Sequence, residues 1–583
     1  MCNYYSSEEN TLQLIALMKA HKVRKVVASP GTTNISFVGS IQNDAFFEVY
    51  SCIDERSAAY IACGLAEESG EPVAISCTGA TAARNYPSAL TEAFYRKLPI
   101  LAITSSQPFG RVGQHFPQFT DRNIQFNDIV TMSVQVPYPY SEEETWSNNV
   151  KINNALLQLR RNGGGPVHIN LETKYSRDFS VKKLPNERVI RRYTYSDRLP
   201  ELKGEKVCIF VGSHKKFSYE LEQEVDLFCS KYNAIVLCDQ TSNYKGKSRI
   251  LGGLVAGQRE YFADCRNCDL VIHIGEISGA YYSFRNTKIW RVSIDGEVRD
   301  TFKLLTDVFE MDELTFFKSY NNLKKEETQN TYYDEWKAET KRLEGLVGEL
   351  PLSNVWMCQQ TAHKLPENSV LYLGILNSLR SWSLYDTPKS VYTYSNVGGF
   401  GIDGGLSSCI GASLYDKDRL YFCVLGDLAM FYDINVLGNR NIGNNVRILL
   451  SNNGTGYEMH CPNSNGLAFE AGERDLFFCA GGHNGNKSRT VIKNFAESLG
   501  FEYIKAESKK EYLENLDLFI SPDKSDRPII FEVFVNMEDD DYAYKATKIT
   551  ITSGEEKAKK VVKSILGEKG VVNIKKIKKG LER

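Results

Sequence analysis

Short apolar runs alternate with amphipathic stretches along the N-terminal part of the chain. Helical spacing of apolar residues marks 11–21 and 55–68, and the apolar runs lie at 25–28, 47–51, 72–76 and 99–104. Strands that alternate with helices indicate a parallel α/β sheet. Ligands of such sheets bind beyond the carboxyl ends of the strands. We therefore expect Pro30-Gly31, Asp54-Glu55 and Thr78-Gly79, which follow three of these runs, at a ligand-binding edge.

The same alternation returns twice further along the chain. Apolar runs of strand length lie at 207–212, 234–237, 270–275, 370–374, 420–425, 446–450 and 529–533. A polar segment at 175–203 is predicted to be a linker, and the charged stretch 318–345 a connecting helix. The pattern predicts an α/β protein with three doubly wound parallel-sheet domains, at 1–180, 181–345 and 346–583. The last domain ends in a Lys-rich tail from residue 555, for which a solvated helix or a partner contact is expected.

Composition narrows the range of functions. The net charge of −2 gives no electrostatic reason to expect nucleic acid or an anionic membrane as a partner. No apolar run approaches the roughly 20 residues that span a bilayer, and the N-terminus has no basic region followed by an apolar core. Cys265 and Cys268 form one C-x-x-C without a second pair at zinc spacing. We expect reduced, structural cysteines in a cytoplasmic protein.

Two strand ends in the third domain carry oxygen ligands. The strand at 420–425 ends in Gly426-Asp427, and the strand at 446–450 is followed by Asn452-Asn453-Gly454. The separation of Asp427 and Asn453 suits one strand-helix-strand crossover, which brings both to the same edge of a parallel sheet. A carboxylate, an amide oxygen and a backbone carbonyl favour Mg²⁺ holding a diphosphate. The alternative is that both motifs are turns between strands.

Glu55 is a second candidate for chemistry. It follows a strand end and begins a stretch of small residues with helical spacing. A carboxylate in such a setting is costly unless it has a partner. Acids are also favoured at helix N-termini, so the alternative is a capping role for Asp54-Glu55.

These motifs resemble those of thiamine diphosphate (ThDP)-dependent enzymes, whose usual signature is Gly-Asp-Gly followed by Asn-Asn. Within that class the chain is similar to the menaquinone-pathway synthases (MenD), whose variant begins Gly-Asp-Leu, as Gly426-Asp427-Leu428 does here. The other segments that carry the resemblance are 29–31, 54–56, 64–66, 77–87, 395–404 and 432–435. The resemblance implies pyrimidine-binding, central and diphosphate-binding domains. It also implies a homodimer or a dimer of dimers (homotetramer), because one subunit supplies the glutamate and another the Mg²⁺ site.

The resemblance also implies roles for individual residues. Glu55 would activate the cofactor through a hydrogen bond to its aminopyrimidine ring, and Gln118 would face the substrate. Asp427 and Asn453 would bind Mg²⁺ by their side chains, and Thr455 by its carbonyl. The residues implied to bind ThDP are Pro30, Gly31, Glu55, Thr78, Gly79, Asn377, Ser378, Gly401, Ile402, Gly426, Leu428 and Ala429.

Two histidines are candidates for the substrate side of the site, His115 as a proton donor and His460 as a residue that faces the substrate. His115 lies close to Gln118 in the sequence, and His460 follows the metal-binding segment. For both, the alternative is a loop histidine with no part in the chemistry.

The chain departs from the synthases where they use arginines to hold the carboxylates of 2-oxoglutarate and isochorismate. It has instead Thr33, Gln107, Val397 and Trp382, although Arg380 is two residues from the last. Guanidinium groups suit carboxylates because they make paired contacts. We therefore expect a less charged donor such as pyruvate, with an aldehyde or enone as acceptor.

The expected function is that of a ThDP- and Mg²⁺-dependent carboligase, a transferase or lyase. It would decarboxylate a 2-oxo acid and transfer the resulting acyl carbanion to an acceptor. The alternatives are a simple 2-oxo acid decarboxylase that releases an aldehyde, the synthase activity itself, and a non-catalytic ThDP-fold binding protein. The joint presence of Glu55, Asp427 and Asn453 argues against the last, because a binding protein has no chemical need for Glu55.

Overall fold

The chain forms two compact units. The computed structural model describes residues 4–279, 282–324, 326–461, 464–481, 483 and 487–548, and the Lys-rich tail lies outside them. The first unit comprises Met1–Leu199 and Ile294–Met311, and the second comprises Pro200–Ser293 and Asp312–Arg583. Within the described ranges, no helix is both long enough and apolar enough to cross a membrane.

The first unit is built on a six-stranded parallel sheet in the order β2-β1-β3-β4-β6-β5. Its strands are β1 Lys25–Ala28, β2 Glu48–Ser51, β3 Val73–Thr78, β4 Ile100–Ser106, β5 Met132–Val136 and β6 Val167–Glu172. Its helices are α1 Glu9–Ala20, α2 Ile35–Ile41, α3 Glu55–Ser69, α4 Pro87–Tyr95 and α5 Glu142–Gln158. Every residue of β4 and β6 is buried, as expected of central parallel strands that helices cover on both faces.

Neighbouring residues of β1 show how both faces of this sheet are covered. Val26 packs in a core cluster with Leu14 of α1, whereas Val27 packs in a second cluster with Ala62 of α3. Successive side chains of a strand point to opposite faces, so α1 and α3 lie on opposite sides of the sheet. The sheet is therefore doubly wound.

The second unit contains two further parallel sheets. Strands β8 Val207–Val211, β9 Ala234–Cys238, β10 Arg249–Leu251, β11 Leu270–Ile274 and β12 Lys288–Ser293 form a central sheet in the order β10-β9-β8-β11-β12. In the first unit, β7 Arg191–Thr194 pairs in parallel with β13 Leu305–Glu310. Helix α6 spans Tyr219–Tyr232, α7 Glu313–Leu323 and α8 Thr331–Glu344.

The last sheet has six parallel strands in the order β15-β14-β16-β17-β19-β18. Its strands are β14 Val370–Leu373, β15 Tyr392–Tyr394, β16 Tyr421–Gly426, β17 Val446–Asn452, β18 Glu502–Ala506 and β19 Ile529–Phe534. Its helices are α9 Asn354–Thr361, α10 Asn377–Trp382, α11 Gly405–Ser413, α12 Asp427–Asp433, α13 Ala471–Phe477, α14 Val491–Ser498, α15 Lys509–Phe519 and α16 Met537–Lys548. Phe422 and Cys423 of β16 enter core clusters on opposite faces. The prediction of three doubly wound parallel α/β sheets is confirmed.

Two predicted connections are wrong in detail. The predicted linker at 175–203 contains β7, whose pairing with β13 depends on residues more than a hundred positions away. The predicted connecting helix at 318–345 is instead the end of α7 and the separate helix α8. Asn330 separates them because its Oδ1 accepts from the backbone N–H of Tyr333 at 3.0 Å, which caps α8. All described cysteines are free thiols, among them Cys265 and Cys268, which are buried.

Candidate active site

The carboxyl ends of β1 and β3 carry glycines at which a side chain would collide. A Cβ on Gly31 would lie 2.7 Å from Cβ of Thr78. A Cβ on Gly79 would lie 2.6 Å from Nη1 of Arg122 and 3.0 Å from the carbonyl oxygen of Ser105. Both glycines are therefore needed where the backbone of one strand end approaches its neighbours. Because β1 and β3 are paired, the predicted cofactor residues Pro30, Gly31, Thr78 and Gly79 follow adjacent strands.

Glu55 is the first residue of α3 and lies half-buried at the same end of the sheet. The cap of α3 is Asp54, whose Oδ1 accepts from the backbone N–H of Arg56 at 3.0 Å. The capping function is thus met without the carboxylate of Glu55. Burial, together with the nearby charge of Glu55, raises the pKa of the Cys77 thiol to about 12. Ile53, two residues before Glu55, is 84% exposed in the single chain.

Gln118 and His115 lie in the exposed segment between β4 and β5. Both have a left-handed backbone, with φ of 62° and 57°, which side chains other than glycine and asparagine rarely adopt. Such backbone strain is common where a loop presents side chains to a ligand. A role of either residue in the chemistry stays a prediction.

The predicted metal ligands meet at the carboxyl ends of β16 and β17. These strands pair in parallel, with Gly426 opposite Ser451, so Asp427 and Asn453 follow adjacent strands. Asp427 is 7% exposed. Burial raises the pKa of its carboxyl group to about 7. A carboxylate buried in this way is stabilised by a cation beside it.

Asn453 is oriented by a buried acid that the sequence did not reveal. Its Nδ2 donates to Oδ2 of Asp540 at 3.2 Å, and its Oδ1 accepts from the backbone N–H of Thr455 at 3.2 Å. Asp540 also accepts from the backbone N–H of Asn354 at 2.8 Å. Because Asp540 stands in an acidic first turn of α16, the sequence alone indicates only a favourable helix start.

These donors fit Mg²⁺ and a diphosphate. The set consists of the carboxylate of Asp427, the amide oxygen of Asn453 and the carbonyl of Thr455, all hard oxygen ligands. Glu532, which is fully buried below them, is held by Asn452 Nδ2 and the Tyr503 hydroxyl, each at 2.7 Å. The loop is therefore anchored to β19 behind the ligands.

The other predicted diphosphate-side residues lie at two helix starts and in one connecting segment. Asn377 and Ser378 begin α10 directly after β14, and Leu428 and Ala429 form the first turn of α12 after β16. Because β14 pairs with β16, these two helices begin at the same edge. Gly401 and Ile402 lie half-buried in the segment between β15 and α11. Their contact with the cofactor stays a prediction.

Three of the four residues that the resemblance pairs with arginines of the synthases make structural contacts. Trp382 and Val397 are 1% and 4% exposed and belong to one hydrophobic core cluster. Thr33 hydrogen-bonds through its Oγ1 to the Thr78 hydroxyl and to the Ser105 carbonyl, the latter at 3.0 Å. A cation at position 33, 382 or 397 would replace a side chain that packs in the core or forms hydrogen bonds within the fold.

Gln107 and His460 are held by arginines. Oε1 of Gln107 accepts from Nη1 of Arg111 at 2.7 Å. The imidazole of His460 lies between Arg474 Nη1, 3.0 Å from its Nδ1, and Asp475 Oδ1, 2.9 Å from its Nε2. These contacts fix the ring of His460 in a local cluster.

Comparison with known proteins identifies the family. Residues 11–125 match the family described as "Thiamine pyrophosphate enzyme, N-terminal TPP binding domain". The 2-succinyl-5-enolpyruvyl-6-hydroxy-3-cyclohexene-1-carboxylate synthase of Phocaeicola vulgatus is 32% identical over 556 residues, covering 92% of this chain and 97% of the relative. The enzyme of the same name from Bacteroides fragilis is 34% identical over 563 residues, covering 92% and 98%.

A more distant relative also matches over most of the chain. The synthase of the same name from Christiangramia forsetii is 28% identical over 91% of this chain and 96% of its own. Among solved structures, a thiamine diphosphate-dependent 4-hydroxybenzoylformate decarboxylase from Rhodococcus jostii RHA1 is 16% identical, with a TM-score of 0.40 over 90% of this chain and 99% of that chain. We draw nothing from that weak likeness. On the identity and coverage of the first two relatives, the chain belongs to the 2-succinyl-5-enolpyruvyl-6-hydroxy-3-cyclohexene-1-carboxylate synthase family of ThDP-dependent enzymes.

Proposed function

We propose that this ThDP-dependent enzyme decarboxylates a 2-oxo acid and transfers the resulting acyl unit to an acceptor. The observation that carries the proposal is the oxygen-ligand set of Asp427, Asn453 and Thr455, with Asn453 oriented by buried Asp540. A non-catalytic ThDP-binding protein could share this metal site, but it would have no chemical need of Glu55, which begins α3.

Each part of the site has a proposed task. Asp427, Asn453 and Thr455 hold Mg²⁺, which neutralises the diphosphate. Bound ThDP supplies the electron sink that makes loss of CO₂ from a 2-oxo acid possible. Glu55 would accept a hydrogen bond from the aminopyrimidine ring of ThDP and so make that ring a better base. Gln118 and His115 orient or protonate the substrate from their exposed loop.

The active site is proposed to form between two copies of the chain. Glu55 of one subunit and the Mg²⁺-binding loop of another complete it, as in a homodimer or a dimer of dimers. The exposed Ile53 beside Glu55 supports this assembly, because a large apolar side chain at a catalytic edge is a typical interface residue.

The proposed donor carries fewer charges than 2-oxoglutarate, and pyruvate is the simplest example. The support comes from Trp382 and Val397, which pack in the core where the synthases have arginines. Without those guanidinium groups, a second carboxylate on the donor would lose its charge-assisted hydrogen bonds, each worth about 1.5–3 kcal/mol.

The synthase reaction in the relatives' name is the second candidate. Identities of 32% and 34% over nearly the full length of both chains favour it. It requires other cations to take over from the missing arginines. A simple decarboxylase is the remaining alternative and differs in needing no acceptor.

One assay separates these activities. Enzyme loaded with ThDP and Mg²⁺ is given pyruvate or 2-oxoglutarate, each with and without an aldehyde or isochorismate, and both CO₂ and the carbon-carbon product are measured. We expect CO₂ from pyruvate and a ligated product with an aldehyde. Preference for 2-oxoglutarate with isochorismate would establish the second candidate, and free aldehyde as the main product would establish a decarboxylase.

A variant pair tests the role of Glu55. Glu55→Gln keeps the size of the side chain but weakens proton acceptance, so CO₂ release should fall at least about 100-fold, as general acid-base groups typically contribute. Glu68→Gln, an exposed position on the same helix, is the matched control. Unchanged CO₂ release in Glu55→Gln would contradict the catalytic assignment.

A further inference from the structure

The long connection between β4 and β5 is anchored by a buried arginine. It spans residues 107–131 and carries His115 and Gln118. Residues 107–128 are exposed or half-buried with the single exception of Arg122, which is 4% exposed. Connections of this length with little regular structure usually have a function of their own. The contacts of Arg122 therefore bear on where the connection lies.

The side chain of Arg122 closes the base of this connection. Its Nη2 donates to the hydroxyl of Ser106, the last residue of β4, across 16 positions of the chain. Its Nε and Nη2 donate to Oδ1 of Asn170 in β6, at 3.2 and 2.9 Å. Burial lowers the pKa of Arg122 to about 10, so the guanidinium stays charged at neutral pH. Hydrogen bonds from a charged donor are stronger than those between neutral groups.

The backbone around Arg122 is held as well as its side chain. Asn170 Nδ2 donates to Oε1 of Gln135 at 2.6 Å, and Nε2 of Gln135 donates to the carbonyl of Arg122 at 3.3 Å. Arg122, Asn170 and Gln135 thus form a closed ring of hydrogen bonds. Arg84 Nη2 adds a hydrogen bond to the carbonyl of Asp121 at 3.0 Å. Each bond in the ring fixes the orientation of the next group, so the ring holds residue 122 in one place.

The ring lies beside the predicted cofactor residues of the first unit. A Cβ on Gly79 would lie 2.6 Å from Nη1 of Arg122, so the guanidinium packs against the end of β3. Gln118 is four residues from Arg122, a span of at most roughly 14 Å. Fixing Arg122 therefore limits how far Gln118 can move from Gly79.

We propose that Arg122 is a positioning residue, which holds the 107–121 loop so that Gln118 and His115 meet the substrate. It acts through the loop and not by contact with substrate or cofactor. The inference rests on the proposed function, because it takes Gln118 and His115 to face the 2-oxo acid. Groups that are held in a productive geometry before the substrate arrives lower the entropic part of the barrier.

Arg122→Met removes the guanidinium and keeps much of the length of the side chain. Oδ1 of Asn170 still accepts from the hydroxyls of Thr104 and Ser106, each at 3.1 Å, so this buried acceptor keeps partners. Loss of a buried charge also removes its desolvation cost. We therefore expect the variant to fold with a looser loop.

Hydrogen exchange of the ThDP- and Mg²⁺-loaded enzyme, read by mass spectrometry, measures the loop independently of the reaction. In Arg122→Met, amides of the 107–121 loop should exchange at least about tenfold faster than in the wild type, and those of β4 and β6 should be unchanged. Arg122→Lys keeps the charge but lacks the fork that spans Ser106 and Asn170, so its exchange should be intermediate. The lysine variant carries the test if the methionine variant does not fold. Arg24→Met, which removes an exposed guanidinium just before β1, is the control.

Kinetics on the same preparations separate positioning from a purely structural role. We expect kcat/KM for the donor to fall at least about tenfold in Arg122→Met, because small misplacements of catalytic groups are costly, while the Kd of ThDP stays unchanged. Loop exchange equal to that of the wild type, or faster exchange with unchanged kcat/KM, would overturn the proposal. If the wild type itself released no CO₂, the proposed function would fail, and the exchange measurement would still decide whether Arg122 holds the loop.

Discussion

Replacing Asp540 by alanine tests how the metal site is held. Asp540 is 3% exposed and accepts from Asn453 Nδ2 at 3.2 Å and from the backbone N–H of Asn354 at 2.8 Å. The first contact keeps the amide oxygen of Asn453, rather than its nitrogen, on the side of Thr455. We therefore expect Asp540 to be a positioning residue, which would act on Mg²⁺ through Asn453.

The expected loss follows from these two hydrogen bonds. Partners that orient a metal ligand typically contribute about 10- to 100-fold in metal affinity, or about 1.4–2.8 kcal/mol. Asp540→Ala also leaves the buried N–H of Asn354 unpaired, which costs about 1–3 kcal/mol of unfolding free energy. Asp540→Asn keeps one acceptor oxygen, so its stability should fall less than that of the alanine variant.

The assay is a Mg²⁺ titration at fixed ThDP, followed by tryptophan fluorescence, with urea unfolding measured on the same preparations. Glu538→Ala, an exposed acid on the same helix, controls for a general change of charge. Mg²⁺ affinity of folded Asp540→Ala within twofold of the wild type would show that Asp540 does not position Asn453.

Two further predictions concern the first unit. Gly79→Ala should lower the free energy of unfolding by about 1–3 kcal/mol, because its Cβ would meet Arg122 and the Ser105 carbonyl. Urea unfolding measures this loss. The control is Gly64→Ala, whose Cβ would meet nothing within 4 Å. His168 is buried between the Thr104 and Ser133 hydroxyls, and burial lowers its pKa to about 3. The folded state favours the neutral imidazole, so the contribution of His168 to the free energy of unfolding is complete above pH 6.5. It falls as the pH drops towards 3, by up to about 1.4 kcal/mol per pH unit. The stability gap between wild type and His168→Gln should therefore narrow from pH 7.5 to 5.5, and an unchanged gap would refute the assignment.

Strands that are buried on both faces were predictable from the sequence. β1 spans the predicted 25–28, and β16 and β17 begin within one residue of the predicted starts. Such strands are continuous apolar runs, so composition over a few residues identifies them. β7 escaped prediction because its residues are half-buried or exposed and polar, and its partner β13 is distant in sequence.

The candidate site divides in the same way. Gly426-Asp427 and Asn452-Asn453 are local patterns at strand ends, and the sequence sufficed to place them at one edge, because parallel strands joined by a crossover share that edge. The position of Glu55 at the start of α3 was likewise evident. The sequence did not show that Asp54 caps α3 without help from the Glu55 carboxylate.

Tertiary structure alone decided which charges work together. Asp540 reaches Asn453 across 87 positions. It also showed that Trp382 and Val397, which the resemblance pairs with arginines, are core residues. The sequence determined the sheets and the ThDP class, and it predicted the metal ligands, because those depend on short patterns. Packing decided burial, and burial sets the electrostatics of the site.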